Sequence, residues 1–309
     1  MCALSPPTMA AVQFETDGAG LSRLSYSESG WCYYTWRTHR CHYVVHGSGP
    51  PVVLVHGFGA NAYHWRYNIA ELSKTNTVYC VCLLGFGWSD KAIVDYSLEM
   101  WGSQISDFIR DVVGAPAVIA GNSIGAVTVL SAAFTDPALV RGVVLLNAAG
   151  RFDADVVAVQ APTQELFLSE ILKRIASFVI FISTKFRIGA ILRTVYVDHS
   201  KVDAQLVESI YRPACDPDAL EAFFLISGSG GRSKRTLNEL LRGCQPLPML
   251  LLWGNQDPWM KNDKAQKILE LYGSGATLIN VATGSHCPHD DAPAEVNAAL
   301  LQWMKALPA

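Results

Sequence analysis

Three polar side chains stand where apolar runs break off, and their types are those of a nucleophile, an acid and a base. Ser123 sits in Gly121-Asn122-Ser123-Ile124-Gly125, after the run Ala117-Val118-Ile119-Ala120. An apolar segment over 126–134, long enough for a helix, follows it. A strand, a sharp turn and a helix around G-x-S-x-G make a nucleophile elbow, with the serine hydroxyl at the tip. The turn strains the serine backbone, and strand and helix approach closely only where a Cβ is missing, which accounts for the two glycines. The serine also lies at the positive end of the following helix.

A serine nucleophile needs a base, a carboxylate to orient that base, and donors for the oxyanion. Behind an elbow of this kind the acid and then the base follow in chain order. Asp257 lies in Gly254-Asn255-Gln256-Asp257-Pro258-Trp259, directly after the apolar run 248–253, where an acid partner belongs. The other place for the acid, after the apolar run 142–146, holds Asn147, which cannot be a carboxylate. After the last strand comes Gly284-Ser285-His286-Cys287-Pro288-His289-Asp290-Asp291. His286 is nearest the strand end and is expected to be the base. His289, one turn further on beside two acids, suits a surface or capping role. His39, His42, His46 and His199 suit ordinary solvent or hydrogen-bonding roles, and His64 lies where it could line a pocket, with no partner identified in the sequence. His56-Gly57-Phe58-Gly59 follows the first buried strand. Its Phe58 amide and the Ile124 amide after Ser123 are the expected oxyanion donors, each worth on the order of 3 kcal/mol. For His56 itself a structural role is expected.

The elements that must carry these residues alternate. Continuous apolar runs at 51–55, 77–83, 117–120, 142–146, 248–253 and 276–281 read as strands buried on both faces of a parallel sheet. Helical segments over 65–72 and 101–113 separate the earlier ones, and 31–46 reads as a hairpin. The fold class is α/β: a mostly parallel central sheet flanked by helices. Between 152 and 247 the strand rhythm stops, and helix-like stretches at 163–181, 203–211 and 217–226 read as an inserted helical cap. The expected organisation is an irregular N-terminal segment over 1–30, a core over 31–151 and 248–309, and the cap over 152–247.

Composition narrows the chemistry. The chain has 309 residues, 50% hydrophobic and 17% charged, enough for a large core. A net charge of −3 gives no reason to expect nucleic acid as a partner. Eight cysteines without a CxxC pair or zinc spacing read as reduced intracellular thiols. The site residues call for no metal and no cofactor. No run reaches membrane-spanning length. Residues 1–13 lack acids and could be an organelle transit remnant or a loose tail.

With these motifs in order, the chain resembles the α/β-hydrolase superfamily from about Trp36 onward. More narrowly it is similar to the branch containing pheophytinase, chlorophyll dephytylase and some algal chlorophyllases. The resemblance rests on HGFGANAYHW (56–65), LLGFGWSDK (83–91), GNSIG (121–125), VYVDHSKVD (195–203), WGNQDPW (253–259) and SHCPHDDAP (285–293). It implies a serine ester hydrolase that removes the phytyl chain from chlorophyll-type pigments in the chloroplast, with Ser123, Asp257 and His286 as the triad. Cys82 stands where relatives usually have an aspartate, and Ala126 replaces a second glycine after the elbow. Dehalogenases and epoxide hydrolases of this fold use an aspartate at the elbow, against which Ser123 argues. A carbon–carbon bond hydrolase, or a slow-turnover small-molecule receptor on the same scaffold, remains an alternative. Phe178, Phe181, Phe223 and Phe224 in the cap could line a tunnel for an apolar chain. The run 166–192 mixes phenylalanines with basic residues, as in a segment that contacts a membrane surface.

Overall fold

The computed structural model describes residues 12–156, 184–229 and 233–308. The N-terminal stretch expected to be irregular contains a small ribbon. β1 (Phe14–Thr16) pairs antiparallel with β2 (Ser22–Leu24). Asp17 sets the turn between them, its Oδ1 accepting the Ala19 and Leu21 amides at 2.9 Å. Three-residue strands are too short for alternation to register in the sequence.

Eight further strands form one sheet in the order β10-β9-β8-β7-β5-β6-β4-β3. β3 (Trp31–Trp36) and β4 (His39–His46) are an antiparallel hairpin at one edge. β5 (Pro51–Val55), β6 (Thr77–Val81), β7 (Ala117–Asn122), β8 (Val140–Leu146), β9 (Met249–Gly254) and β10 (Ala276–Val281) run parallel. β7 and β9 are buried at every position, as their unbroken apolar sequences require. The chain leads from β5 to β6 on one side and from β7 to β8 on the other. Loops at the C-terminal ends of β5 and β7 therefore diverge and leave a crevice.

Among the described residues, the α-helices of seven residues or more are, in chain order, α1 (Arg66–Leu72), α2 (Leu98–Phe108), α3 (Ile124–Thr135), α4 (Thr184–Thr194), α5 (Ala204–Ala214), α6 (Ala219–Ser229), α7 (Leu237–Gly243), α8 (Asn262–Tyr272) and α9 (Pro293–Lys305). α1 and α9 cover one face of the sheet, packing Ile69, Leu72, Val296 and Leu300 into its core. α2, α3, α7 and α8 cover the other, with Trp101, Ile105, Leu130, Leu240 and Ile268. α2 runs into one π turn, Ile109–Val113, that stops at Gly114 in the left-handed region. α4, α5 and α6 lie between β8 and β9 in sequence. Val195, Tyr196, Val202 and Leu206 there form a third apolar cluster with Cys287. The stretch 163–181, expected to be helical, lies outside the described residues.

Candidate active site

The elbow is built by exclusion of side-chain volume. A Cβ on Gly121 would lie 2.2 Å from the Gly125 carbonyl oxygen, and one on Gly125 would lie 2.5 Å from the carbonyl oxygens of Val55 and His56. Only glycine lets β7 turn into α3 while α3 presses on the end of β5. Ser123 takes φ 56° and ψ −116°, a strained conformation for a residue with a Cβ. The neighbouring strand holds it there. The Ser123 amide donates to the Leu146 carbonyl at 3.0 Å, and the Ser123 carbonyl accepts the Ala149 amide at 3.0 Å.

Asp257 and His286 meet. His286 Nδ1 lies 2.7 Å from Asp257 Oδ2, and both side chains are buried. Asp257 Oδ2 also accepts Asn147 Nδ2 at 2.7 Å, and Oδ1 accepts the Trp259 amide at 2.7 Å. Burial alone would raise the Asp257 carboxyl. The His286 hydrogen bond and charge, with the amides of Met260 and Trp259, outweigh burial and hold it below the usual carboxylate range. Asn122, the residue before Ser123, donates from Nδ2 to the His286 carbonyl at 2.8 Å, which ties the histidine loop to the elbow. Gly254 makes room for that loop, since a Cβ there would lie 1.9 Å from the Ser285 carbonyl oxygen. With Nδ1 engaged, Nε2 is the ring nitrogen left for chemistry. No hydrogen bond joins Ser123 Oγ to His286 in this structure; such contacts commonly tighten only with substrate bound.

The loop after β5 packs against the elbow, the Gly57 Cβ direction ending 3.3 Å from Ser123 Cβ. Among the described residues, neither the Phe58 nor the Ile124 amide has an acceptor. His56 is structural. Its Nδ1 pairs with the Gly57 carbonyl at 2.7 Å, its Nε2 accepts the Leu83 amide at 3.1 Å, and burial pushes its pKa down to about 4.

A model of the "Alpha/beta hydrolase family" matches residues 52–299. The chain belongs to that family. A chloroplastic pheophytinase of Arabidopsis thaliana is 29% identical, over 95% of this chain and 69% of its own length. A 2-hydroxy-6-oxo-6-(2'-aminophenyl)hexa-2,4-dienoic acid hydrolase of Metapseudomonas resinovorans is 27% identical over 80% of each chain. Epoxide hydrolase 3 of Xenopus tropicalis is 26% identical over 86% of this chain and 75% of its own. Among solved structures, a serine hydrolase involved in carbazole degradation superposes with a TM-score of 0.73 at 23% identity, covering 89% of this chain and 98% of that one.

Within this hydrolase the two acids after His286 clamp the histidine loop to the segment 195–203. Fully buried Arg66 grips Asp290, Nε to Oδ1 at 2.8 Å and Nη2 to Oδ2 at 3.1 Å. The same guanidinium reaches Asp203 Oδ2 at 2.9 Å and the Lys201 carbonyl at 2.7 Å. The Tyr196 hydroxyl donates to Asp290 Oδ2 at 2.9 Å and lies 2.7 Å from His64 Nε2, the partner for His64 that the sequence left unnamed. Asp291 accepts the Val197 and Asp198 amides at 2.9 and 2.8 Å and the Ser285 amide, one residue before His286, at 3.0 Å. The VYVDHSKVD and SHCPHDDAP segments thus bind each other.

His289 is not a surface or capping residue. It is fully buried, its ring 4.0 Å from that of Trp65, and burial drives its pKa well below the usual histidine value. The first turn after His286 points inward because the aspartates beside His289 are consumed by Arg66 and by the Val197 and Asp198 amides. His42, placed among solvent or ordinary hydrogen-bonding histidines, is also buried, among the rings of Trp31, Tyr33 and Trp88. Its Nδ1 lies 3.2 Å from Cys82 Sγ, which also accepts the Ala62 amide at 3.3 Å. The Cys82 thiol therefore serves as the acceptor for this amide.

Of the four phenylalanines expected to line a tunnel, the two described ones separate. Phe223 lines an apolar pocket with Gly59, Phe86, Ile210, Pro213 and Ile226, and its ring lies 5.7 Å from that of Phe58. Phe224 lines a different groove, with Ile93, Val94 and Tyr96. Consecutive helical residues point about 100° apart, so both cannot face one tunnel. Phe178 and Phe181 lie outside the described residues. Among the described residues, no group of three or more His, Cys, Asp or Glu could hold a metal ion, and no helix is long and apolar enough to cross a membrane. Reasoning from sequence missed Asn122, Asn147, Arg66 and Trp259 as parts of the site. Of these, only Asn147 carried a signal, its place after β8.

Proposed function

We propose that this chain is a serine carboxylic-ester hydrolase that removes the phytyl chain from a chlorophyll-type pigment, with Ser123 as nucleophile, His286 as base and Asp257 as the acid that orients it. The observation that carries the reading is the 2.7 Å contact between His286 Nδ1 and buried Asp257, on a loop tied to the serine elbow. In this reading Ser123 Oγ attacks the ester carbonyl carbon while its proton passes to His286 Nε2. The oxyanion is held by the Phe58 and Ile124 amides. The carbon–oxygen bond to phytol breaks as His286 returns the proton to the departing alkoxide. Water, deprotonated by His286, then attacks the acyl-enzyme, and its proton passes to Ser123 Oγ as the acid is released. Asp257 stabilises the imidazolium in both halves.

The pigment is supported by the similarity to pheophytinase across nearly the whole chain. The apolar pocket beside the Phe58 loop supplies room for part of an isoprenoid chain. A plastid location accompanies that pigment, and the basic, apolar run 166–192 suits docking on anionic thylakoid lipid. The test is to incubate purified protein separately with chlorophyll a and pheophytin a and to resolve phytol and pigment products by chromatography. Release of phytol from either supports the reading, and its absence from both refutes it. The similarity to a dienoic acid hydrolase favours a second reading, carbon–carbon bond hydrolysis. Cleavage of a vinylogous diketone without ester cleavage would establish it.

A further inference from the structure

Trp259 is 54% exposed, although it stands against the buried pair at the heart of the site. A lone exposed tryptophan needs no explanation. This one has defined contacts at the site. Its amide donates to Asp257 Oδ1 at 2.7 Å, and its ring meets the His286 ring edge to face, centroids 4.8 Å apart and planes at 63°. Proline at 258 restricts the backbone before it. The backbone amide anchors the residue to Asp257 and the ring packs on His286, so an open aromatic face stands beside the candidate base. Phe58, 45% exposed, offers a second open ring at the oxyanion loop. A folded chain gains by covering such surface, and a flat conjugated ligand covers an indole with little internal conformational freedom of its own to lose.

We propose that Trp259 is a stacking platform for a flat, conjugated group on the acyl side of the ester, seated at the rim beside His286. The proposal rests on the ester-hydrolase reading above and adds the feature by which the site selects its acyl group. An aliphatic acyl group of similar size covers the same ring without the offset-stacked geometry that aromatic pairs prefer.

The experiment compares two methyl esters with the same alcohol, methyl 3-(2-naphthyl)propanoate and methyl 3-cyclohexylpropanoate. The quantity read is the ratio of their kcat/KM values. Trp259→Leu should lower the ratio about tenfold, mainly through KM of the naphthyl ester, and Trp259→Phe should restore most of it. If Trp259→Leu lowers both esters equally through kcat, Trp259 only steadies His286 and the proposal is overturned. An unchanged ratio overturns it too. Equilibrium dialysis of 3-(2-naphthyl)propanoate gives the same comparison without turnover. Its Kd should rise about tenfold in Trp259→Leu, and an unchanged Kd counts against the platform. Neither assay uses pigment, so failure to release phytol would refute the pigment reading while leaving this result standing.

Discussion

Asn147 offers the sharpest test of how the acid is held. Its Nδ2 donates to Asp257 Oδ2 at 2.7 Å, and its Oδ1 accepts the Gly254 amide at 2.9 Å. It sits at φ 44°, where asparagine and glycine are tolerated and alanine costs roughly 1–2 kcal/mol. Asn147→Gly therefore removes the side chain without adding backbone strain. Two losses follow. A hydrogen bond to a charged group is worth about 1.5–3 kcal/mol, and the stranded Gly254 amide costs about 1–3 kcal/mol. Together they predict a stability loss of about 2.5–6 kcal/mol. At about 2 °C per kcal/mol, Tm should fall by about 5–12 °C in calorimetry. With one fewer donor, Asp257 holds His286 less firmly, and kcat/KM on a short soluble ester should drop about 10–100-fold. Asn147→Ala should lose the same activity and a further 1–2 kcal/mol of stability, which isolates the backbone term. If Asn147→Gly kept wild-type kcat/KM and Tm, the side chain would not be holding the acid and the reasoning would fail.

Ser123→Ala should abolish ester hydrolysis with the fold intact by circular dichroism, and a serine-reactive phosphonate should label Ser123 in mass spectrometry. Adding His286→Ala to it should cost little more, because the triad acts as a unit. His286→Ala alone should lose several orders of magnitude in kcat, whereas His289→Ala should stay within about tenfold per folded molecule and lose about 3 kcal/mol in urea unfolding, from the cavity left against Trp65. Acid should destabilise the protein through its buried histidines. His56 and His64 are pushed by burial to about 4 from 6.5, so the unfolded chain binds more protons between those values. Stability is complete above about pH 6.5 and declines toward pH 4, by on the order of 3 kcal/mol for each histidine. A urea midpoint that stayed flat from pH 7 to pH 4 would contradict this.

The sheet was legible because parallel strands covered on both faces are written as unbroken apolar runs, and each candidate site residue lies where such a run stops. The elbow was legible because two glycines are forced by backbone contact, a local requirement that leaves a local mark. What stayed hidden depends on pairs far apart in sequence. Nothing near His289 says that Asp290 and Asp291 will be claimed by Arg66 and by the Val197 and Asp198 amides, so a histidine between polar neighbours read as exposed. Asn147 was recognised as a failed carboxylate, but its hydrogen bonds to Asp257 and Gly254 emerge only when β8 and β9 are laid side by side. Phe223 and Phe224 were treated alike because composition records no direction around a helix.

The clamp behind His286 bears on how enzymes of this build can diversify. Caps are natural places to vary a binding site, since an insertion between two strands can change without disturbing the sheet. Here residues 195–203 of the insertion contact the loop that carries the candidate base, through Asp290 and Asp291. A graft that replaced everything between β8 and β9 would keep the Arg66–Asp290 pair but take Asp203 from Arg66, the Tyr196 hydroxyl from Asp290 and the Val197 and Asp198 amides from Asp291, at about 1.5–3 kcal/mol for each hydrogen bond lost from a buried charged group. Inherited or engineered exchange should succeed with the 195–203 segment and the loop after β10 taken from one parent, leaving the remainder of the insertion free to change.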